Sequence, residues 1–308
     1  MNEYVIETKQ LTKKYGSFCA LDHVNIHVRK GCIYGLVGDN GSGKSTLLKI
    51  LAGLSFPTEG EIQILNKFEE HDLENVRKQL GCVIEQPGFF PNMTVEQTLK
   101  YYCIQKGIPN TNKIYETMKL TGIATKRTSK CSTLSLGQKQ RLGLAIALIG
   151  EPQILLLDEP INGLDPSGII EFRNLLHRLN VEKNITILLS SHILSELEQT
   201  ATVYGFLSHG TLLEEISATA LKEKCSNCIE ITVSDIETYC AVFEKKFSNE
   251  DYKILPSNTI CIYNPKDTAE SYSRLAAEHN IYITNMQTIQ SSLENYYLDL
   301  KEQGGVKC

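Results

Sequence analysis

The stretch Gly38-Asp39-Asn40-Gly41-Ser42-Gly43-Lys44-Ser45-Thr46 constrains this chain more than any other. It fits G-x-x-x-x-G-K-[ST] at every fixed position and lies between two apolar runs, residues 32–37 and 47–51. Glycines at that spacing let the backbone curl until successive N–H groups point at a phosphate chain resting on a helix N-terminus. Lys44 then reaches the terminal phosphates, and the Ser45 hydroxyl ligates magnesium. Such a loop can arise by chance, but a strand-like run before it and a helix-like run after it are what phosphate binding demands. The expectation is a nucleotide site.

At 308 residues the chain has room for about two domains and a buried core. Its formal net charge of −5 provides no basic footprint for nucleic acid, so DNA and RNA are not expected partners. No apolar run approaches the roughly 18 residues that cross a bilayer. The opening Met1-Asn2-Glu3-Tyr4 lacks the basic-then-apolar order of a secretory signal, and the expectation is a cytosolic chain. The ten cysteines are scattered, and only Cys225 and Cys228 form a C-x-x-C. Without a second ligand pair for zinc, they read as reduced thiols filling small apolar spaces, with redox or metal work by that pair as the alternative.

Residues 5–8 and 24–28 carry β-branched side chains in strand fashion, with a turn expected at Lys13-Lys14-Tyr15-Gly16. Tyr15 reads either as a half-buried strand-end tyrosine or as a face that stacks on a purine, and its place upstream of the glycine loop favours stacking. Residues 61–65 follow a turn and read as a strand. So do the residues from Gly81, until Pro87 and Pro91 stop them. A carboxylate or amide at such a strand end can face a metal. Thr94-Val95-Glu96-Gln97 matches a capping box, and from there to about residue 149 the pattern is helical. Within that insertion, Ser135 stands where it can cap a long helix or leave the helix N-terminus open to an anion.

Ile154-Leu155-Leu156-Leu157-Asp158-Glu159 sets two acids at the carboxyl end of an apolar strand, where parallel sheets place their ligands. Asp158 is placed to hold magnesium through water and Glu159 to orient or deprotonate an attacking water. The alternative is a pair of solvated acids ending a core strand. Asn162-Gly163-Leu164-Asp165-Pro166 turns into a helix. Residues 185–189 form a further buried strand, and His192 just past it reads as a phosphate contact or as an ordinary hydrogen-bonded histidine.

Taken in this order, the pieces resemble the nucleotide-binding subunit of ATP-binding cassette (ABC) transporters over roughly residues 1–215. The resemblance implies an α/β P-loop NTPase cassette, a helical subdomain at about residues 94–149, bound ATP with Mg2+, and ATP hydrolysis. Tyr15 falls where the family stacks adenine. Gly38, Asp39, Asn40, Gly41, Ser42, Gly43, Lys44, Ser45 and Thr46 form the Walker A loop, and residues 154–159 form Walker B with Glu159 as catalytic carboxylate. Leu134-Ser135-Leu136-Gly137-Gln138 stands at the signature motif, usually LSGGQ, and departs from it at Leu136. Ser135 and Gly137, with Gln138 beside them, should still bind the γ-phosphate. Asp165 matches the D-loop aspartate, and His192 the switch histidine.

Counting back six from Pro91, as the family's Q-loop is spaced, lands on Glu85, with Gln86 one step on. A carboxylate there adds negative charge beside the magnesium where an amide is usual, which puts Glu85 in both the catalytic and the metal set. With residues 84–94 it looks like the subgroup serving bacitracin resistance and lantibiotic or bacteriocin self-immunity. The family implies a homodimer or pseudo-dimer in which one copy's Ser135 closes over the other's glycine loop. It also implies a separate membrane permease, which places this chain at the cytoplasmic face of the membrane. The expected function is the ATP-hydrolysing subunit of an exporter for an antimicrobial peptide or similar amphipathic compound. The alternative is a soluble ABC-type ATPase of DNA repair or translation, disfavoured by the absence of coiled-coil arms or basic extensions.

Residues 216–308 read as a separate accessory domain in the order β-α-β-β-α-β, from residues 229–233 through 281–286. That order predicts a small ferredoxin-like α+β sandwich. Ser291-Ser292-Leu293-Glu294 looks like a capping box for a last helix, and the domain carries no catalytic set.

Overall fold

The computed structural model describes residues 3–85, 88–109, 112–224, 227–290 and 293–304. It divides into two compact units, Met1–Ala218 and Thr219–Cys308. The division falls three residues past the expected 215 because the last strand of the first unit runs on to Ser217.

In chain order the first unit holds β1 (Tyr4–Tyr15), β2 (Phe18–Val24), β3 (His27–Arg29), β4 (Ile33–Val37), α1 (Lys44–Leu51), β5 (Glu59–Ile64), α2 (Glu70–Arg77) and β6 (Leu80–Val83). Then come α3 (Val95–Gln105), α4 (Asn112–Leu120) and α5 (Leu136–Leu148), with short 3-10 turns at Ala124–Lys126 and Cys131–Thr133. β7 (Ile154–Asp158), α6 (Pro166–Lys183), β8 (Thr186–Ser191), α7 (Leu194–Glu198), β9 (Val203–Ser208) and β10 (Thr211–Ser217) complete it.

Two sheets result. One is the antiparallel layer β2-β1-β3 with β5 also on β1, and the other runs β10-β9-β4-β8-β7-β6, parallel except for β10. β4, β7 and β8 are buried at every position, as unbroken apolar runs covered on both faces must be. Val5, Ile6, Leu11, Val24 and Val28 of the antiparallel layer share one core with Tyr34, Leu36, Leu47, Leu48 and Leu156.

The expected turn at residues 13–16 and the expected strand at 24–28 both need correction. Lys13, Lys14 and Tyr15 pair with Leu21, Cys19 and Phe18, so β1 runs through them and the turn falls at Gly16 and Ser17. The second strand breaks at Asn25 and Ile26 because the chain there switches partners along β1. Asn25 Oδ1 accepts the Gln10 N–H at 2.7 Å, and Thr8 Oγ1 accepts the Ile26 N–H at 3.0 Å, so side chains stand in for ladder bonds at the crossing.

The helical insertion has its own core of Val95, Leu99, Ile114, Met118, Leu142 and Ile146. Thr94 caps α3 with both arms of the expected box, its hydroxyl accepting the Gln97 N–H and Gln97 Oε1 accepting the Thr94 N–H. Glu96 in the first turn of α3 takes Arg127 through two bonds of 2.8 and 2.9 Å and Lys100 at 3.2 Å.

In the second unit α8 (Ala218–Lys224) starts at the boundary. It is followed by β11 (Asn227–Val233), α9 (Ile236–Lys246), β12 (Asp251–Leu255), β13 (Thr259–Tyr263), α10 (Ala269–Glu278), β14 (Ile283–Gln290) and α11 (Leu293–Gly304). The antiparallel order β12-β13-β11-β14 puts the first and third strands of the β-α-β-β-α-β run at the centre, which is the ferredoxin-like arrangement. Ile229, Ile231, Ile260 and Ile262 meet Tyr239, Phe243, Tyr272 and Leu275 of the two helices in one core. Cys228 is buried. Cys225, Ser291 and Ser292, and with them the C-x-x-C and the last capping box, lie outside the described residues.

Hydrogen bonds from Arg127 and then Lys100 hold the Glu96 carboxyl below the ordinary range, so its ion pairs stabilise the folded chain above the unfolded pKa and are lost as pH falls through the folded one. Because these pairs face solvent, Glu96→Gln is expected to lower Tm by only about 1–3 °C at pH 7. Calorimetry across an acid series should find the two proteins converging as pH falls through the folded pKa of Glu96.

Candidate active site

The glycine loop leaves β4 at the centre of the parallel sheet. Gly43 takes φ of 110°, and a Cβ there would lie 2.6 Å from the Ala20 carbonyl oxygen, so only glycine passes. Gly43 is also the N-cap of α1 and provides no side-chain cap, which leaves the helix N-terminus open. Lys44 is 4% exposed and donates to the carbonyls of Gly38 at 2.7 Å and Asp39 at 2.9 Å. Burial pulls its ammonium below the ordinary range, opposed by the carboxylates of Glu159, Asp158 and Asp39. Ser42 Oγ is buried with no hydrogen-bond partner among the described residues. Ser45 and Thr46 are half-buried in the first turn of α1. An open helix end, an orphaned hydroxyl and a buried ammonium together fit a polyphosphate.

The register of the parallel strands brings the acids to this loop. Val37 pairs with Ser191 and Asp158 with Ser190, so the carboxyl ends of β4, β8 and β7 lie on one edge. Ser190 Oγ donates to Asp158 Oδ1 at 2.6 Å and accepts the Glu159 N–H at 3.0 Å. Glu159 sits in the left-handed region with φ of 46°, which turns its side chain out of the strand line. Its carboxylate receives the Asn162 amide at 3.1 Å, lies 3.9 Å from Lys44 Nζ and stands 3.0 Å from His192 Nδ1. That ring nitrogen is buried and, among the described residues, makes no hydrogen bond of proper geometry. The remaining oxygen of Asp158 and the hydroxyl of Ser45 make no hydrogen bond among the described residues, a hard-oxygen donor set that fits Mg2+.

The structure thus gathers Lys44, Asp158, Glu159 and His192, while among the described residues no hydrogen bond or ion pair joins the signature residues to them. Ser135 caps α5, accepting the Gln138 N–H, while Gln138 Oε1 accepts the Ser135 N–H. The Ser135 hydroxyl therefore acts as an acceptor here and keeps its proton to donate to an anion. Leu136 is 47% exposed and packs on the neighbouring turn: a Cβ on Gly163 would lie 2.8 Å from Leu136 Cδ2. Asp165 is the N-cap of α6, yet its carboxylate takes the Ser167 hydroxyl at 2.5 Å, which holds it below the ordinary range. Tyr15 is 50% exposed, with Lys13 Nζ 4.9 Å from its ring centre.

Glu85 leaves β6 with φ of 60° and pairs with Lys49 of α1. Gln86 and Pro87 lie outside the described residues. Beyond them Phe90, Tyr101 and Tyr102 pack edge to face at 5.1 and 5.4 Å, beside a cavity of about 150 Å³ lined by Leu54, Cys82, Ile84, Gly88 and Ile146. A larger cavity of about 510 Å³ lies between α4, α6 and the amino ends of β7 and β8, away from the loop. Sequence reasoning passed over Ser190, Asn162 and Lys49. A hydroxyl ending an otherwise apolar strand, and a lysine one helical turn past Ser45, were the available signals.

The sequence profile described as ABC transporter matches residues 21–162. The chain is 37% identical to the bacitracin transport ATP-binding protein BcrA of Enterococcus faecalis, over 99% of this chain and 98% of that one. It is 38% identical to the lantibiotic transport ATP-binding protein SrtF of Streptococcus pyogenes, over 68% of this chain and 90% of that one. Among solved structures it is similar to the dimeric post-hydrolysis state of the ATP-binding cassette MJ0796 bound to ADP and Pi, with TM-score 0.63 and 29% identity over 69% of this chain and 98% of that one.

Since one hydroxyl holds the Asp158 carboxylate and the backbone N–H of Glu159, Ser190→Ala is expected to lower kcat for nucleotide hydrolysis by about tenfold or more while nucleotide affinity stays within about threefold. Steady-state kinetics beside a direct binding titration would check this, and an unchanged kcat would remove Ser190 from the site.

Proposed function

The chain belongs to the ATP-binding subunits of ABC transporters, and on that premise we propose that it hydrolyses ATP to drive export of an antimicrobial peptide or similar amphipathic compound. The observation that carries the catalytic part is the Glu159 carboxylate, set among Lys44, Asn162 and His192 at the open end of α1. In this reading Tyr15 stacks on the adenine. The backbone from Gly38 to Thr46 and the Lys44 ammonium hold the phosphates. Ser45 and Asp158 would hold Mg2+, with Glu85 toward its hydration shell, and the ion would supply charge neutralisation for the phosphates. Glu159 accepts a proton from the attacking water, and His192 fixes that water in line with the bond between the γ-phosphorus and the bridging oxygen. ADP leaves with the bridging oxygen, and inorganic phosphate carries the water oxygen.

Among the described residues no hydrogen bond or ion pair joins Ser135, Gly137, Gln138 or Asp165 to the loop of their own chain, their polar groups being taken up locally, and they are assigned to the loop of a second copy. Two copies then enclose each nucleotide, and hydrolysis opens them. The aromatic cluster of Phe90, Tyr101 and Tyr102, with exposed Leu54, is the surface assigned to a membrane permease, because it adjoins the Glu85 loop and is apolar where solvent is the alternative. Among the described residues no helix is long and apolar enough to cross a membrane, so a permease supplies the path. The chain is assigned to the cytoplasmic face of that membrane. Export, and not uptake or a nucleic-acid task, is favoured by the bacitracin and lantibiotic transport named for BcrA and SrtF.

Glu159→Gln keeps the side chain's shape and removes its basicity. Turnover is expected to fall by at least about a hundredfold, with ATP still bound and dimers enriched on size-exclusion chromatography. Equal rates would reject the assignment of Glu159. Pull-down from detergent-solubilised membranes should bring a multi-span membrane protein, and nucleic acid in its place would favour the soluble alternative.

A further inference from the structure

Lys49 lies one turn of α1 beyond Ser45, so the two side chains share a helix face. Opposite that face, Glu85 Oε1 accepts a hydrogen bond from Lys49 Nζ, with the Glu85 side chain 65% exposed and that of Lys49 33%. This bond, with a further contribution from Asp158, holds the Lys49 ammonium above its ordinary range, so the lysine is charged. An unpaired carboxylate at Glu85 would be a third acid at the strand ends where Asp158 and Glu159 already stand, with the buried Lys44 ammonium 3.9 Å from Glu159.

We propose that Lys49 is a positioning residue for Glu85: it holds that side chain as a neutralised carboxylate and releases it to the metal's hydration shell when magnesium and nucleotide bind. This rests on the nucleotide site described above. An exposed ion pair contributes little net stability, so exchanging Lys49 for a metal-bound water costs little, and the two compete for one carboxylate. A lysine that only complemented the carboxyl end of α1 would act identically whatever residue stood at position 85.

The test is Mn2+ affinity, read by electron paramagnetic resonance on the full chain with a non-hydrolysable ATP analogue present. Lys49→Met is expected to tighten Mn2+ by about three- to fivefold in the parent, since the competitor is gone, and by less than about twofold in a Glu85→Gln background. Lys49→Arg, which keeps the pair, should leave the affinity within about twofold of the parent. The same tightening with and without Glu85 would overturn the proposal, since charge alone would explain it. Should Lys49→Met fail to fold, Lys49→Gln carries the same comparison. A parent that binds Mn2+ equally with and without the analogue would instead overturn the nucleotide-site reading, whatever Lys49 does.

Discussion

The parallel pairing of β4, β8 and β7 is the constraint on which the chemistry of this chain depends. Buried on both faces, these strands cannot shift without dragging apolar side chains through the core, so Val37, Ser191, Ser190 and Asp158 end at one level. At that level the first irregular backbone appears, with glycines of the loop on one side and the left-handed Glu159 on the other. Ser190 turns the register into geometry. As a hydroxyl in a buried strand it needs partners, and it finds one on the last residue of β7 and another on the residue that follows it.

Charge follows from the same edge. Asp158 and Glu159 would repel each other and a phosphate chain if nothing answered them. The buried Lys44 lies between them and the open helix end, where desolvation weakens its proton and the acids restore it. Lys49 answers Glu85 farther along the same helix. One short helix therefore provides the cations for three acids drawn from two strands.

How much of this could be read in advance depended on how local the cause was. The glycine loop, the runs at β4 and β7, the capping box of Thr94 with Gln97 and the cap at Ser135 are written within a few consecutive residues, and each stands where its pattern placed it, although the reciprocal bond from Gln138 to Ser135 was not foreseen. The order of the second unit was legible for the same reason, since its strands and helices alternate in short, clearly bounded segments. The break between β2 and β3 was not, because it depends on Asn25 reaching Gln10 and on Thr8 reaching Ile26, fifteen and eighteen positions apart. Lys49 was hidden similarly, its partner Glu85 lying thirty-six residues downstream. In the site, residue types were legible and their mutual supports were not, as with Asn162, which looked like a plain turn residue until the fold set its amide on Glu159.

The contact of Leu136 with Gly163 has a consequence for how such a sequence can drift. Where a glycine usually stands in the signature motif, this chain carries an isobutyl group whose tip rests where any β-carbon at residue 163 would have to go. Two constraints of different kind therefore meet at residue 163: the exposed isobutyl tip can swing aside, whereas the φ of 75° disfavours any L side chain there even in a lineage that regained the smaller residue at 136.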